Sequence, residues 1–120
     1  MGNVVAIESN AFSRCAELEN IHVESIKNIG NSAFNGCKKL TDIHLAEGLE
    51  SIGKYAFCHG ALKNVRIPKS VKEIGEYAFN GCENLSLEIY DTLNIRQQNS
   101  IRACSRLLRR LGKGANRPYN

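Results

Sequence analysis

The side chains able to do chemistry here are five cysteines, three histidines and a run of arginines, and their spacing limits what that chemistry can be. The cysteines stand at 15, 37, 58, 82 and 104. No Cys-x-x-Cys pair occurs, so neither a zinc-ribbon ligand set nor a dithiol redox motif is present. Cys58 precedes His59, a pairing that could activate a thiol nucleophile, but no orienting third group or oxyanion donor accompanies it. Gly112-Lys113-Gly114 lacks the spacing and trailing hydroxyl residue of a phosphate-binding loop. Gly30-Asn31-Ser32 lacks the later glycine of a nucleophile elbow, because Phe34 stands there. The chain reads as a non-enzyme that needs no cofactor.

The regular interval between cysteines belongs to a larger period. Ala-Phe recurs at Ala11-Phe12, Ala33-Phe34, Ala56-Phe57 and Ala78-Phe79, in steps of 22, 23 and 22. Four repeats follow, at residues 4–25, 26–48, 49–70 and 71–92, within the 20–29-residue window of leucine-rich repeats. Leu40-x-x-Ile43-x-Leu45, with counterparts Leu18-Ile21-Val23 and Leu62-Val65-Ile67, sends alternate side chains to one face of a short strand. Ile7, Ile29, Ile52 and Ile74 are placed on an opposite wall, with Phe12, Phe34, Phe57 and Phe79 filling the interior between. Gly30, Gly53 and Gly75 each follow the wall Ile, where a turn with positive φ is expected. Repeat one carries Glu8 at that position. Cys15, Cys37 and Cys82 share the slot three after Phe and are expected in the core, with a bridge between Cys15 and Cys37 geometrically open. Cys58 has left that slot to Gly60 and is expected to be exposed.

Residues 29–40, Ile-Gly-Asn-Ser-Ala-Phe-Asn-Gly-Cys-Lys-Lys-Leu, and 74–85, Ile-Gly-Glu-Tyr-Ala-Phe-Asn-Gly-Cys-Glu-Asn-Leu, closely resemble the BspA-type leucine-rich repeat. The resemblance covers residues 4 to about 92. It implies a protein-binding module of a kind common in surface proteins of bacteria and some protists. The expected fold is an α/β repeat: a short leucine-rich-repeat solenoid with a parallel concave sheet and a C-terminal capping helix.

On the exposed side of such a sheet the strand residues form columns. One column is Asn20, Asp42, Asn64, the next is His22, His44, Arg66, and Glu24 begins a third. His22 and His44 would be neighbours, and with Asp42 or Glu24 they could hold a metal, but three placed ligands are not assured and no metal site is assigned. These residues, with Tyr90 at the far end, are read as a solvated binding face for a protein partner. The fourth strand, Leu85 to Tyr90, carries its aliphatic pair one residue early, so Tyr90 can point either way.

Residues 1–92 are taken as the solenoid and 93–120 as a basic cap or tail. The tail holds seven basic residues and no acid, and the chain's +4 then leaves −3 for residues 1–92. From Asn99 or Ser100, the residues Ile101, Cys104, Leu107, Leu108 and Leu111 recur at helical spacing up to Gly112, and a capping helix is expected. Cys104 lies 22 residues after Cys82, so a decayed fifth repeat competes with it. Arg102, Arg106, Arg109, Arg110 and Lys113 could contact phosphates. That suggests the alternative function, a small intracellular effector or inhibitor docking on a nucleic-acid-handling or ribonucleoprotein complex. No apolar run spans a bilayer, and no leader is read at the N-terminus, so a soluble cytoplasmic protein is expected, or else a fragment of a larger cell-surface protein. Gly2 opens no myristoylation motif, because Ala6 stands where Ser or Thr is required.

Overall fold

The computed structural model describes residues 6–90 and the strand segments 105–111 and 116–118. Each repeat makes one turn of a flattened solenoid with two walls, and the expected α/β repeat is corrected to a β-solenoid, since among the described residues strands and turns occur and no helix does. The first wall is built from two-residue strands β1 (Ala6–Ile7), β3 (Asn28–Ile29), β5 (Ser51–Ile52) and β7 (Glu73–Ile74), paired in parallel in that order with Ile7↔Ile29↔Ile52↔Ile74 in register. The second wall carries β2 (Asn20–Val23) and β4 (Asp42–Leu45) in one ladder. Its other ladder holds β6 (Asn64–Arg66), β8 (Leu85–Tyr90), β9 (Ser105–Leu111) and β10 (Asn116–Pro118). β6, β8 and β9 run parallel, and β10 returns antiparallel to β9.

Between the walls the phenylalanines stack. Ring centroids are 5.3 Å apart for Phe12–Phe34, 5.2 Å for Phe34–Phe57 and 5.3 Å for Phe57–Phe79, with rings within 8° of parallel. Phe34, Phe57 and Phe79 are fully buried, and Phe12, at the first turn, is half-buried. The Ala-Phe turns also tie the rungs together: the Phe34 N–H donates to Ala56 O at 2.7 Å and the Phe57 N–H to Ala78 O at 2.6 Å. A hydrogen-bonded backbone, rather than side-chain packing alone, thus sets the spacing of the aromatic stack.

The glycines of the Ile-Gly step answer to a different constraint from the one expected. Gly30, Gly53 and Gly75 do not have positive φ. A Cβ on Gly30 would stand 2.5 Å from the Ser9 nitrogen, and one on Gly53 2.6 Å from the Asn31 nitrogen, so the previous turn's backbone occupies the space. Glu8 is tolerated in repeat one because, among the described residues, no turn lies against that side. Left-handed backbone occurs at two other slots of each turn. Asn10, Ser32, Tyr55 and Tyr77 fill one, with φ between 57° and 63°, and Arg14, Gly36, His59 and Gly81 fill the second.

Two further expectations are corrected. The capping helix over residues 99–112 is not formed where it is described: Ser105–Leu111 is a strand, β9, paired in parallel with β8 from Leu85↔Ser105 to Tyr90↔Leu111. An edge strand presents unpaired N–H and C=O groups, and a further parallel strand satisfies them where a helix would not. This continues the stacking, as the fifth-repeat reading requires. Cys58 is also not exposed: it is 3% accessible and sits among core residues. The other thiols lie as expected, with Cys37 and Cys82 buried and Cys15 half-buried, and the four described cysteines are free.

Candidate functional site

The outer face of the second wall follows from strand alternation. In β4, Ile43 and Leu45 turn inward while Asp42 and His44 are exposed. In β6, Val65 is buried between exposed Asn64 and Arg66. In β8, Leu85, Leu87 and Ile89 face the core, so Ser86, Glu88 and Tyr90 lie on the outer side. The ambiguity over Tyr90 is resolved outward, because β6 pairs with β8 at Asn64↔Ser86, Val65↔Leu87 and Arg66↔Glu88.

The columns read from the sequence are therefore real where the ladders run. Asn20 pairs with Asp42 and His22 with His44, all four exposed, and the two imidazole centroids are 5.9 Å apart. Glu24 is exposed just beyond the end of β2. Arg66 continues the histidine column, and its Nε donates to Glu88 Oε1 at 3.0 Å. That carboxylate holds the guanidinium even more firmly in its charged form. Glu88 and the Lys69 ammonium, 5.2 Å from the centre of the Tyr90 ring, were not singled out in the sequence. Glu88 was there to be found, 22 residues after Arg66; Lys69 required knowing that Tyr90 points outward.

β4 and β6 belong to separate ladders, and a groove of about 550 Å³ opens along this junction. Its walls include His44, Glu47, Asn64, Arg66, Pro68 and Tyr90. A smaller hollow of about 290 Å³ lies over Asn20, His22, Asp42 and His44. Of the basic tail, Arg106, Arg109 and Arg110 fall on β9, with Arg109 opposite Glu88 in the ladder. Arg102 and Lys113 lie outside the described residues.

The buried thiols among the described residues are held in their protonated form. Burial pushes the Cys58 thiol above its ordinary range, against a weaker opposing hydrogen bond from the Asn80 side chain. Burial likewise raises Cys37, and Cys82 is pushed up to about 11 despite a backbone hydrogen bond at Gly60. A raised pKa reduces the thiolate, which is the reactive form. The thiols of Cys37 and Cys82 instead donate to Phe12 O at 3.0 Å and to Phe57 O at 3.1 Å.

Residues 3–109 match the repeat family described as BspA type Leucine rich repeat region (6 copies). The chain belongs to the BspA-type leucine-rich repeat family. The match runs past the fourth Ala-Phe repeat into β9. Among solved structures, this BspA-type chain is 30% identical to a leucine rich cell surface protein from Faecalibacterium prausnitzii, with a TM-score of 0.66, covering 68% of this chain and 22% of that one. It is 32% identical to the pneumococcal vaccine antigen PcpA, with a TM-score of 0.67, over 73% of this chain and 23% of that one. The leucine rich repeat protein of T. pallidum is 28% identical, with a TM-score of 0.56, over 91% of this chain and 66% of that one. The chain thus spans less than a quarter of the length of the first two. No curated protein sequence gives a significant match. Among the described residues, no helix is long and apolar enough to cross a membrane.

Proposed function

We propose that this chain is a non-enzymatic protein-binding module that engages its partner through the outer face of the second wall, centred on the groove between β4 and β6. The observation that carries this reading is the combination at that groove of a concavity of about 550 Å³ with an outward Tyr90, an Arg66–Glu88 pair and His44, presented on strands whose inner faces are buried. Such a surface needs little backbone ordering on binding, because the strands beneath are already fixed. An outward aromatic and an arginine are the types that most often anchor protein interfaces. The likeness to a leucine rich cell surface protein, of which this chain spans 22%, supports placing the module in a larger cell-surface protein.

The test is capture of partners with the intact chain beside a variant carrying His44→Ala, Arg66→Ala and Tyr90→Ala. Partners held by the intact chain should be lost by the variant at unchanged thermal stability. Retention of the same partners by both would move the site elsewhere.

The second reading, a small intracellular effector docking through its basic tail, draws on one observation: β9 attaches Arg106, Arg109 and Arg110 to the same sheet. Their joint replacement by Gln should then flatten the salt dependence of partner binding, because each phosphate contact contributes to that slope. An unchanged slope removes the nucleic-acid alternative.

A further inference from the structure

The histidine column holds a second feature, which shares His44 with the groove proposed for protein binding. His22 and His44 are direct partners in a parallel ladder, so both side chains leave the sheet on the same side, one strand spacing apart. Both are exposed, and their ring centroids lie 5.9 Å apart at an interplanar angle of 51°. A divalent ion held ~2.0–2.1 Å from one nitrogen of each ring puts two imidazole centroids roughly 5–6 Å apart at angles from tetrahedral upward. The observed separation already lies in that range. The register that sets the separation is locked by four consecutive paired residues, from Asn20↔Asp42 to Val23↔Leu45.

The surroundings favour a cation. Asp42 lies on the same face two residues before His44, and both line the hollow over the pair with His22 and Asn20. The nearest fixed positive group along the column, Arg66, is engaged by Glu88 at 3.0 Å.

We propose that His22 and His44 form a two-nitrogen chelating site for a divalent transition-metal ion of the zinc, nickel or copper class. Imidazole suits these ions, and the carboxylate and carbonyl sets that hold calcium or magnesium are not gathered here. Among the described residues no group of three or more His, Cys, Asp or Glu is arranged to hold a metal, so the protein supplies two positions and leaves the others to water. The site is therefore an exchangeable, surface-exposed one and does not hold the fold together.

The experiment titrates the full chain with Ni²⁺ and follows the imidazole resonances of the three histidines by NMR, with calorimetry for affinity. The resonances of His22 and His44 should shift or broaden together and saturate with one ion per chain, while His59, exposed on a different part of the turn, lags behind. His22→Ala and His44→Ala should each weaken binding by roughly tenfold or more, because either change turns an intramolecular second contact into none. His59→Ala should leave the affinity unchanged. Both histidines are exposed, so the variants keep the fold, and their backbone spectra report this directly. The proposal is overturned if the three histidines respond alike, if only one of the two substitutions weakens binding, or if the response does not saturate. Binding that persists in both variants would place the ion on other donors and overturn it equally.

Discussion

The two walls of the solenoid are made from the same repeat and obey different rules. On the first wall the constraint runs on past the buried strand residue: Ile29, Ile52 and Ile74 are at most 2% accessible, and the glycine that follows each lies against the previous turn's backbone. On the second wall only alternate positions are constrained. Ile43, Val65 and Leu87 keep the core shut, while the residues between them run Asp42, Asn64, Ser86 in one column and His44, Arg66, Glu88 in the next. The repeated residues carry the fold, and the unrepeated ones, on the same strands, face outward. That division is possible because a strand faces two environments with a period of two, whereas the tight Ile-Gly step has no outward side to spare.

The strongest break in this comparison is made in the stack that both walls enclose. Phe57→Ala should cost roughly 3–5 kcal/mol, since Phe57 is stacked on both sides and the rung spacing set by backbone hydrogen bonds prevents collapse. Phe12→Ala, at a half-buried end, should cost clearly less. Equal shifts in the urea midpoint would show that the stack is not the common support.

Gly53→Ala tests the first wall alone and should cost about 3 kcal/mol, the upper end for overpacking, because the obstruction is backbone and cannot rotate away. Glu8→Ala, at the same slot with no turn packed against it, should change stability by less than about 0.5 kcal/mol. If both are silent in thermal melts, the close approach has been misjudged.

The thiols sharpen the contrast more gently. Cys82 has a folded pKa raised to about 11 from 9.0, so the native state keeps its proton while the unfolded chain releases it. Its contribution is full below about pH 9 and is lost progressively as pH rises toward 11, a loss of roughly 2–3 kcal/mol at most. Urea midpoints compared at pH 8 and pH 10.5 should fall more for the native sequence than for Cys82→Ala. In the same protein at neutral pH, Cys15 should react with a thiol reagent before Cys37, Cys58 and Cys82, following its greater exposure. A fast Cys58 would contradict its burial.

Much of this architecture is written along the chain because each turn lies on the last. A period of 22 or 23 residues turns distance in sequence into adjacency in space, so the isoleucine wall, the phenylalanine stack and the pairing of His22 with His44 could all be read from spacing. What spacing could not supply was the reason a residue is required. Gly53 and Gly36 look alike in the sequence, yet one is demanded by a neighbouring turn's backbone and the other by a left-handed φ of 78°. Cys58 left its slot and was expected in solvent, but it is buried, with Asn80 of the next turn as hydrogen-bond partner. Ser105–Leu111 has helical periodicity and became a strand, because the open edge of β8 offers hydrogen bonds that local propensity cannot register. The groove between β4 and β6 arises the same way. It lies where two ladders part company, a relation between turns that no single repeat contains.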